Sequence, residues 1–407
     1  MIPPLVAGAA VALLWTYLGF PVTVLLRARL RPDPLRPDPV PTAAHRPAAA
    51  HSSAEARCSA GTPAPSSAPS VAVVIAAHNE QGTIGAKLAN VLAGGYPAEL
   101  LDVVVAADGC TDGTQQEVAA FAARGVRLLD LPRAGKAAAL NAAVAACRGD
   151  VVVFTDANSI LAPDALTNLV RPFEDERVGG VAGDQRYLRG DDGATDADGE
   201  RAYWSLDRMV KNAESRAGSV ISATGALYAI RRELVPVVVD GVTDDFWVST
   251  NVIACGRRLV FAPDAAVYED VAGSDADEYN RKVRIITRGL RGVYLRRELL
   301  DPRRHGFYAV QLASHKVLRR LMFVPLLALL AGTLTRRERV YRAATLAQLT
   351  LYGLGGAGLA LRRRGVRSRP LSIPAYFVMV NSASAQASAN VLRGKRIDRW
   401  TPTRSGQ

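Results

Sequence analysis

Cysteine is scarce in this chain. Its four residues, Cys58, Cys110, Cys147 and Cys255, are scattered over 407 positions with no paired spacing, which excludes a zinc site and a disulfide framework. Aromatic residues make up only 6% of the sequence, and few stand among the basic side chains in the middle of the chain. A stacking platform for bases is therefore not built here. The net charge of +12 belongs elsewhere: Arg319 and Arg320, Arg336 and Arg337, Arg362 to Arg364, Arg393, Lys395 and Arg396 all lie beside apolar segments. Juxtamembrane cations facing anionic lipid account for them, and no nucleic-acid partner is expected. There is no G-x-x-x-x-G-K-[ST], so a P-loop is excluded, and no glycine fingerprint follows the first strand, which argues against a dinucleotide site.

Charge is missing altogether from the first 26 residues, and Pro4 to Leu26 is nearly all apolar. That length spans a bilayer. A cleaved signal peptide is the competing reading, but the stretch lacks a basic start and no small-residue cleavage site follows it. Arg27, Arg29 and Arg31 come next, and the positive-inside bias then places the N-terminus outside and the chain beyond it in the cytoplasm. Residues 31–70 hold nine of the 23 prolines and ten alanines, too little apolar bulk for a core, and read as a flexible linker.

From Val71 the pattern becomes strand alternating with helix. Strands are expected at Val71–Ala77, Leu101–Ala107, Val126–Leu129 and Val151–Phe154, with helices near Thr83–Ala93, from Thr114 to Gly125, and over Lys136–Cys147. Thr114 with Glu117 has the spacing of a capping box. This alternation predicts a parallel, doubly wound α/β sheet. Each strand then delivers a polar cluster to one rim: His78-Asn79-Glu80, Asp108 to Asp112, and Thr155 to Asn158. Acidic groups converging there would repel one another unless they bind a cation, a sugar or a base, and ligands of open α/β sheets sit at that edge. Asp156 and Asn158 suit a divalent ion, Mg²⁺ or Mn²⁺, carrying a diphosphate; a helix cap or Asx turn is the alternative use of the same residues. Asp112 is readable as a helix cap. Lys136, after Gly135 at a helix start, is placed to reach a phosphate.

Taken as a set and in this order, AHNE, ADGCTDGT, GKAAALN, FTDAN, ATGALYAIRRE and VTDDFW resemble the membrane-anchored branch of the family-two inverting glycosyltransferases, to which cellulose, chitin, hyaluronan and poly-N-acetylglucosamine synthases belong. The resemblance covers about residues 71–300. It implies a GT-A-like, mostly parallel sheet with flanking helices, a nucleotide-diphospho-sugar donor, usually a uridine one, a divalent metal, and transfer with inversion. Carried over residue by residue, it implies that Asn79, Glu80, Asp108, Lys136 and Asp156 hold the donor, and that Asp156 and Asn158 stand where the family has a D-x-D pair. Asparagine at the second position removes one charge from the metal's ligand set.

On the acceptor side, Thr224-Gly225-Ala226 reads as a bend whose small residues let a sugar approach the backbone. Thr243-Asp244-Asp245 opens a helix and by itself reads as a cap with acidic first-turn residues. The resemblance matches Asp245 to the last residue of the family's T-E-D motif and makes it the general base, with Thr224, Gly225, Asp244 and Trp247 around the acceptor. Arg281 to Ile285 falls where processive synthases carry Q-x-x-R-W; Arg284 stays, while Arg281 and Ile285 replace glutamine and tryptophan. Arg281, Arg284 and Arg288 share one helical face suited to phosphate, and the resemblance gives Arg284 and Arg288 the departing diphosphate.

The expected organisation is an anchor at 1–28, a linker at 29–70, a cytoplasmic glycosyltransferase domain at 71–300, an interfacial helix, basic at His315 to Arg320, with about three membrane segments over 301–400, and a tail at 401–407. The expected activity is membrane-bound sugar transfer to a glycan or lipid-linked acceptor in cell-envelope or extracellular polysaccharide synthesis, with membrane lipids as further partners. The alternative is a catalytically silent sugar-nucleotide binder that scaffolds a synthase.

Overall fold

The structure, a computed structural model, describes residues 3–35, 68–187, 197–269, 275–366 and 368–395. Most of the proline-rich segment and all of the tail at 401–407 lie outside them. The centre is one eight-stranded sheet, β1 (Val71–Ala77), β2 (Leu101–Asp108), β3 (Val126–Leu131), β4 (Val151–Thr155), β5 (Ile160–Leu161), β6 (Val178–Tyr187), β7 (Leu227–Arg231) and β8 (Arg258–Glu269), in the order β3-β2-β1-β4-β7-β6-β8-β5.

The first four strands are parallel, as their alternation with helices requires. Every residue of β1 is buried, and the strand feeds two cores at once: Val71, Val73 and Ile75 pack on one face of the sheet, Ala72, Val74 and Ala76 on the other. That is why the run reads as continuously apolar instead of alternating. Beyond β4 the sheet becomes mixed, with β7 antiparallel to β4 and β6, and β8 parallel to β6. This reversal decides where the site lies. Thr155 pairs with Leu227, so the bend preceding β7 is set against the end of β4. Likewise β5, which follows the loop after β4, pairs Ile160 with Tyr268 and brings the end of β8 to the same place.

The expected capping box does not form. Thr114 is already helical, and its hydroxyl accepts from Glu80 N at 2.8 Å. Gly113 is the N-cap residue, and Asp112 just before it accepts from Thr114 N at 3.1 Å. Glu117 crosses to the preceding loop and takes the amides of Gly82 at 2.8 Å and Gly85 at 3.3 Å.

Among the described residues two helices, Pro4–Leu30 and Arg339–Arg363, are long and apolar enough to cross a membrane, and a pair bent by 57°, Phe307–Leu321 with Phe323–Leu334, makes a third if counted as one span. The interfacial helix expected around His315–Arg320 is irregular. It loosens to a π-helical turn over Leu312–Val317 and tightens to 3-10 geometry over Leu318–Leu321 just before the bend. The helix Arg369–Leu392 is not among the apolar ones. Its polar residues face the domain: Tyr279 OH donates to Gln386 Oε1 at 2.6 Å, and Asn390 Nδ2 to Thr287 Oγ1 at 3.4 Å. The first helix is also tied to the sheet. Phe20 and Val24 enter one of its two cores, and Asp33 pairs with Arg177 at 2.8 Å and Arg258 at 3.3 Å.

Candidate active site

The carboxyl end of β4 is fastened from below by a buried cation. Lys87, in the helix Ile84–Leu92, is fully buried, and its ammonium donates to Thr155 Oγ1 and Ser159 O, both at 2.7 Å, and to Ser159 Oγ at 3.1 Å. Burial depresses its pKa to about 7, against the opposing pull of Asp156 and Glu269. The loop between Thr155 and Ser159 is thereby held in one shape, and Asp156 is its outward-facing carboxylate.

Above it, Lys136 binds two acids. Its Nζ lies 2.8 Å from Asp156 Oδ1 and 3.1 Å from Asp244 Oδ2. Burial disfavours the ammonium, but the two carboxylates outweigh it and raise the lysine's pKa above its ordinary value. Asp244 is likewise penalised by burial, yet Lys136 and Arg288 hold it below the usual carboxylate range. Its neighbour Asp245 behaves oppositely. Burial and the charge of Asp244 push it up, with Lys316 opposing. Two adjacent carboxyls thus have their affinities for protons driven apart, the arrangement that separates a fixed counter-ion from a base able to accept a proton. Both sit in the first turn of the helix Asp244–Ala254, for which Thr243 is the N-cap residue.

Around this pair stand groups from the mixed half of the sheet. Tyr228, on β7, has a buried hydroxyl with no partner, within electrostatic reach of Asp244, Asp245 and Asp156. Its ring stacks on Phe154 at 4.7 Å. Thr224 Oγ1 is also buried without a partner. Gly225 faces Asp156, where an added Cβ would stand 3.4 Å from Oδ2. At the end of β8, Glu269 accepts from Gln185, and burial together with the charge of Asp156 pushes its pKa up to about 7.

Of the residues the sequence singled out, Asp156, Lys136, Asp244, Asp245, Arg288, Thr224 and Gly225 therefore gather at the rim. Arg288 donates through Nε to Val242 O at 2.8 Å on the same wall. Arg284 is half-buried one turn away on the helix Asp275–Leu295, where burial and the charges of Arg288 and Arg281 lower its pKa. Asn158 is exposed, and Asp156 Oδ2 accepts no hydrogen bond among the described residues. One free carboxylate oxygen and one amide oxygen fit a hard divalent cation that draws its other ligands from a diphosphate. Among the described residues no group of three or more His, Cys, Asp or Glu could hold a metal alone.

Asn79, Glu80 and Asp108 are engaged in building the loops that follow β1 and β2. Asn79 adopts φ 55°, a left-handed conformation that asparagine tolerates, and its Oδ1 accepts from Thr111 N at 2.8 Å. Glu80 accepts from Thr83 Oγ1 at 3.0 Å. Asp108 is 1% exposed; Arg133 Nη1 donates to it at 2.6 Å, and the amides of Ala134 and Gly135 at 2.7 and 3.0 Å. It holds the loop that delivers Lys136.

Trp247 stands apart from these residues. Two residues beyond Asp245 on a helix, it is turned to nearly the opposite face. Its indole donates to Val237 O at 2.9 Å and its ring lies 4.1 Å beneath the Arg296 guanidinium, so in this structure it packs against the outer side of the helix.

Lys87, Tyr228 and Glu269 were not anticipated. Lys87 had a signal: it stands on the same stripe of its helix as Ile84, Leu88 and Val91, where a lone lysine must find a buried partner. Glu269 and Tyr228 depend on the mixed half of the sheet, which their local sequence does not announce.

The family described as "Glycosyltransferase like family 2" matches residues 68–292, more than half of the chain. The chain belongs to this family. Two curated relatives of this glycosyltransferase-like chain are the poly-beta-1,6-N-acetyl-D-glucosamine synthase of Staphylococcus aureus (strain MSSA476), 27% identical over 221 residues, or 53% of each chain, and the N-acetylglucosaminyltransferase of Rhizobium meliloti (strain 1021), 29% identical over 220 residues, or 49% of this chain and 50% of the relative. The chain thus spans about half the length of the curated relatives it matches. A solved structure, the mannosyltransferase PcManGT from Pyrobaculum calidifontis in complex with GDP-Man and Mn²⁺, superposes with a TM-score of 0.66 at 24% identity, covering 96% of this chain and 100% of that one. The family-two chain therefore has the GT-A-like fold.

Proposed function

We propose that this family-two member is a membrane-bound inverting glycosyltransferase that moves a sugar from a nucleotide-diphospho-sugar, of uridine type, to a glycan or lipid-linked acceptor. One observation carries the reading: the single ammonium of Lys136 joins Asp156, at the donor end of β4, to Asp244, next to Asp245, at the acceptor end. Donor and base are thereby assembled about one charge.

The chemistry follows from these positions. An acceptor hydroxyl is a poor nucleophile until its proton is taken. As its oxygen forms a bond to the anomeric carbon, the proton passes to Asp245, and the electron pair of the broken glycosyl–phosphate bond leaves with the nucleoside diphosphate. One displacement inverts the centre and needs no second carboxylate as nucleophile. Lys136, Arg284 and Arg288 stabilise the charge that grows on the departing diphosphate. Asp108, through its loop, fixes Lys136; Lys87 fixes the Asp156 loop. A divalent cation, held by Asp156 and Asn158, would supply Lewis-acid stabilisation of the diphosphate when bound. The activities for which the relatives are named support transfer of N-acetylglucosamine or a similar hexose, the helices Pro4–Leu30 and Arg339–Arg363 support a multi-pass membrane location, and Arg27, Arg29 and Arg31 after the first of them support a cytoplasmic domain. The mannosyltransferase bound to GDP-Man and Mn²⁺ supports the need for metal.

The test is donor turnover. Membranes holding the full chain are offered a panel of UDP- and GDP-sugars with Mn²⁺, and nucleoside diphosphate release is followed. Release that depends on Asp245 and on metal supports the reading; no release from any donor by the wild type contradicts it.

A further inference from the structure

Beside Asp245, on the side facing the apolar helices, lie two cations that the proposed transfer does not use. Lys316 and Arg320 stand four residues apart in the irregular end of Phe307–Leu321, immediately before the 57° bend into Phe323–Leu334. Lys316 Nζ sits 5.9 Å from the Phe246 ring and is an electrostatic neighbour of Asp245. Arg320 reaches across to the helix Asp275–Leu295, where Gly289 makes room: a Cβ there would overlap the guanidinium. Its Nη1 is buried without a hydrogen-bond partner, and it too lies within electrostatic reach of Asp245.

The surrounding charges are already engaged. Lys211 pairs with Asp207 at 2.9 Å and Arg319 hydrogen-bonds His315 at 2.8 Å, while His315 Nδ1 lies 3.5 Å from Glu214 Oε1 without a hydrogen bond. Lys316 and Arg320 make no ion pair and no hydrogen bond among the described residues. Asp245 is near both, but neither cation has an anion hydrogen-bonded to it, so the desolvation of each is offset only in part and the two repel. The segment that follows is apolar, with Val324 and Leu327 exposed, so an anion reaching this place has a lipid tail's path next to it.

We propose that Lys316 and Arg320 form an anion subsite that holds the phosphate of a membrane-borne acceptor lipid, with the lipid's sugar hydroxyl presented to Asp245. The proposal rests on Asp245 being the base. The phosphate is an anchor and is not consumed. The hydroxyl oxygen bonds to the donor's anomeric carbon, its proton goes to Asp245, the nucleoside diphosphate departs with the bonding pair, and the anchored phosphate is unchanged. A two-pronged cation pair suits a phosphate's oxygens, and the absence of an aromatic at Ile285, which is 41% exposed, fits a headgroup site better than a sugar-stacking floor.

The experiment uses the purified full chain in neutral detergent and two probes: a polyprenyl diphosphate-linked N-acetylglucosamine, and the same sugar on an uncharged polyprenyl ether. Dissociation constants are measured for the wild type, for the Lys316→Gln/Arg320→Gln double variant, and for Lys316→Arg/Arg320→Lys as the charge-keeping control. The wild type and the control are expected to bind the charged probe at least tenfold more tightly than the ether, and the Gln variant to lose that advantage. Equal binding of both probes by the wild type, or an advantage that persists in the Gln variant, overturns the proposal. Inorganic phosphate that competes at the probe's own affinity overturns the lipid as the source. UDP and GDP binding is read on the same samples: a wild type that binds nucleotide but not the charged probe refutes the subsite alone, whereas one that binds neither nucleotide refutes the donor reading.

Discussion

Lys136 Nζ lies 2.8 Å from Asp156 and 3.1 Å from Asp244, so one ammonium connects a parallel strand's end to the first turn of a helix more than eighty residues later. Replacing it tests the connection. Lys136→Met leaves two carboxylates facing each other without their counter-ion, and should lower donor turnover by roughly 10²- to 10³-fold. It should also destabilise the fold by about 1–3 kcal/mol. Lys136→Arg should recover stability more than turnover, because a planar fork does not reproduce a point charge between two acids. Thermal unfolding and nucleotide release, measured side by side, separate the two effects.

The pH dependence of turnover should report Asp245. A base must be ionised, so activity falls as pH drops through its pKa, and burial together with the Asp244 charge raises that pKa. The acid limb should therefore lie above the usual carboxylate range. Asp244→Asn removes the neighbouring charge and should move the limb to lower pH, whereas an unrelated structural loss would scale the whole profile without shifting it.

Much of this was legible from the chain. The parallel strands from Val71, the polar clusters at their ends, and the acidic pair at Asp244 and Asp245 follow from local patterns, because an inner parallel strand is a short apolar run and a helix start favours acids. What was not legible is long-range. The turn from parallel to mixed sheet after β4 places Gly225 and Glu269 beside Asp156, and no local pattern encodes which strands will pair. Trp247 illustrates a local limit: it neighbours Asp245 in sequence, while helical rotation turns it to nearly the opposite face, where it meets Val237 and Arg296. The capping box failed similarly, since Asp112 and the amides of Gly82 and Gly85 offered Thr114 and Glu117 other partners.

Lys87 gives a stability prediction. In the folded chain its pKa is about 7, below the ordinary 10.5, so between those values the unfolded chain binds more protons, and stability should rise with pH across that window. Below pH 7 both states are protonated and the cost of burying the charge is present in full. In Lys87→Met this rise should be absent, and the Thr155–Ser159 loop, deprived of three hydrogen bonds, should exchange its amides faster.

Asn158 offers a gain-of-function check on the metal. Asn158→Asp adds a carboxylate beside Asp156 and should tighten Mn²⁺ binding about tenfold, some 1.4 kcal/mol, read by titrating the ion against nucleotide release or by direct binding. Asp156→Asn should abolish the metal response.

The most direct measurement compares nucleoside diphosphate release by the wild type and by Asp245→Asn, in the same membranes, across the donor panel. The account predicts release by the wild type from at least one donor, a loss of 10²-fold or more in the variant, and nucleotide binding retained by both. Equal release by the two proteins would contradict it.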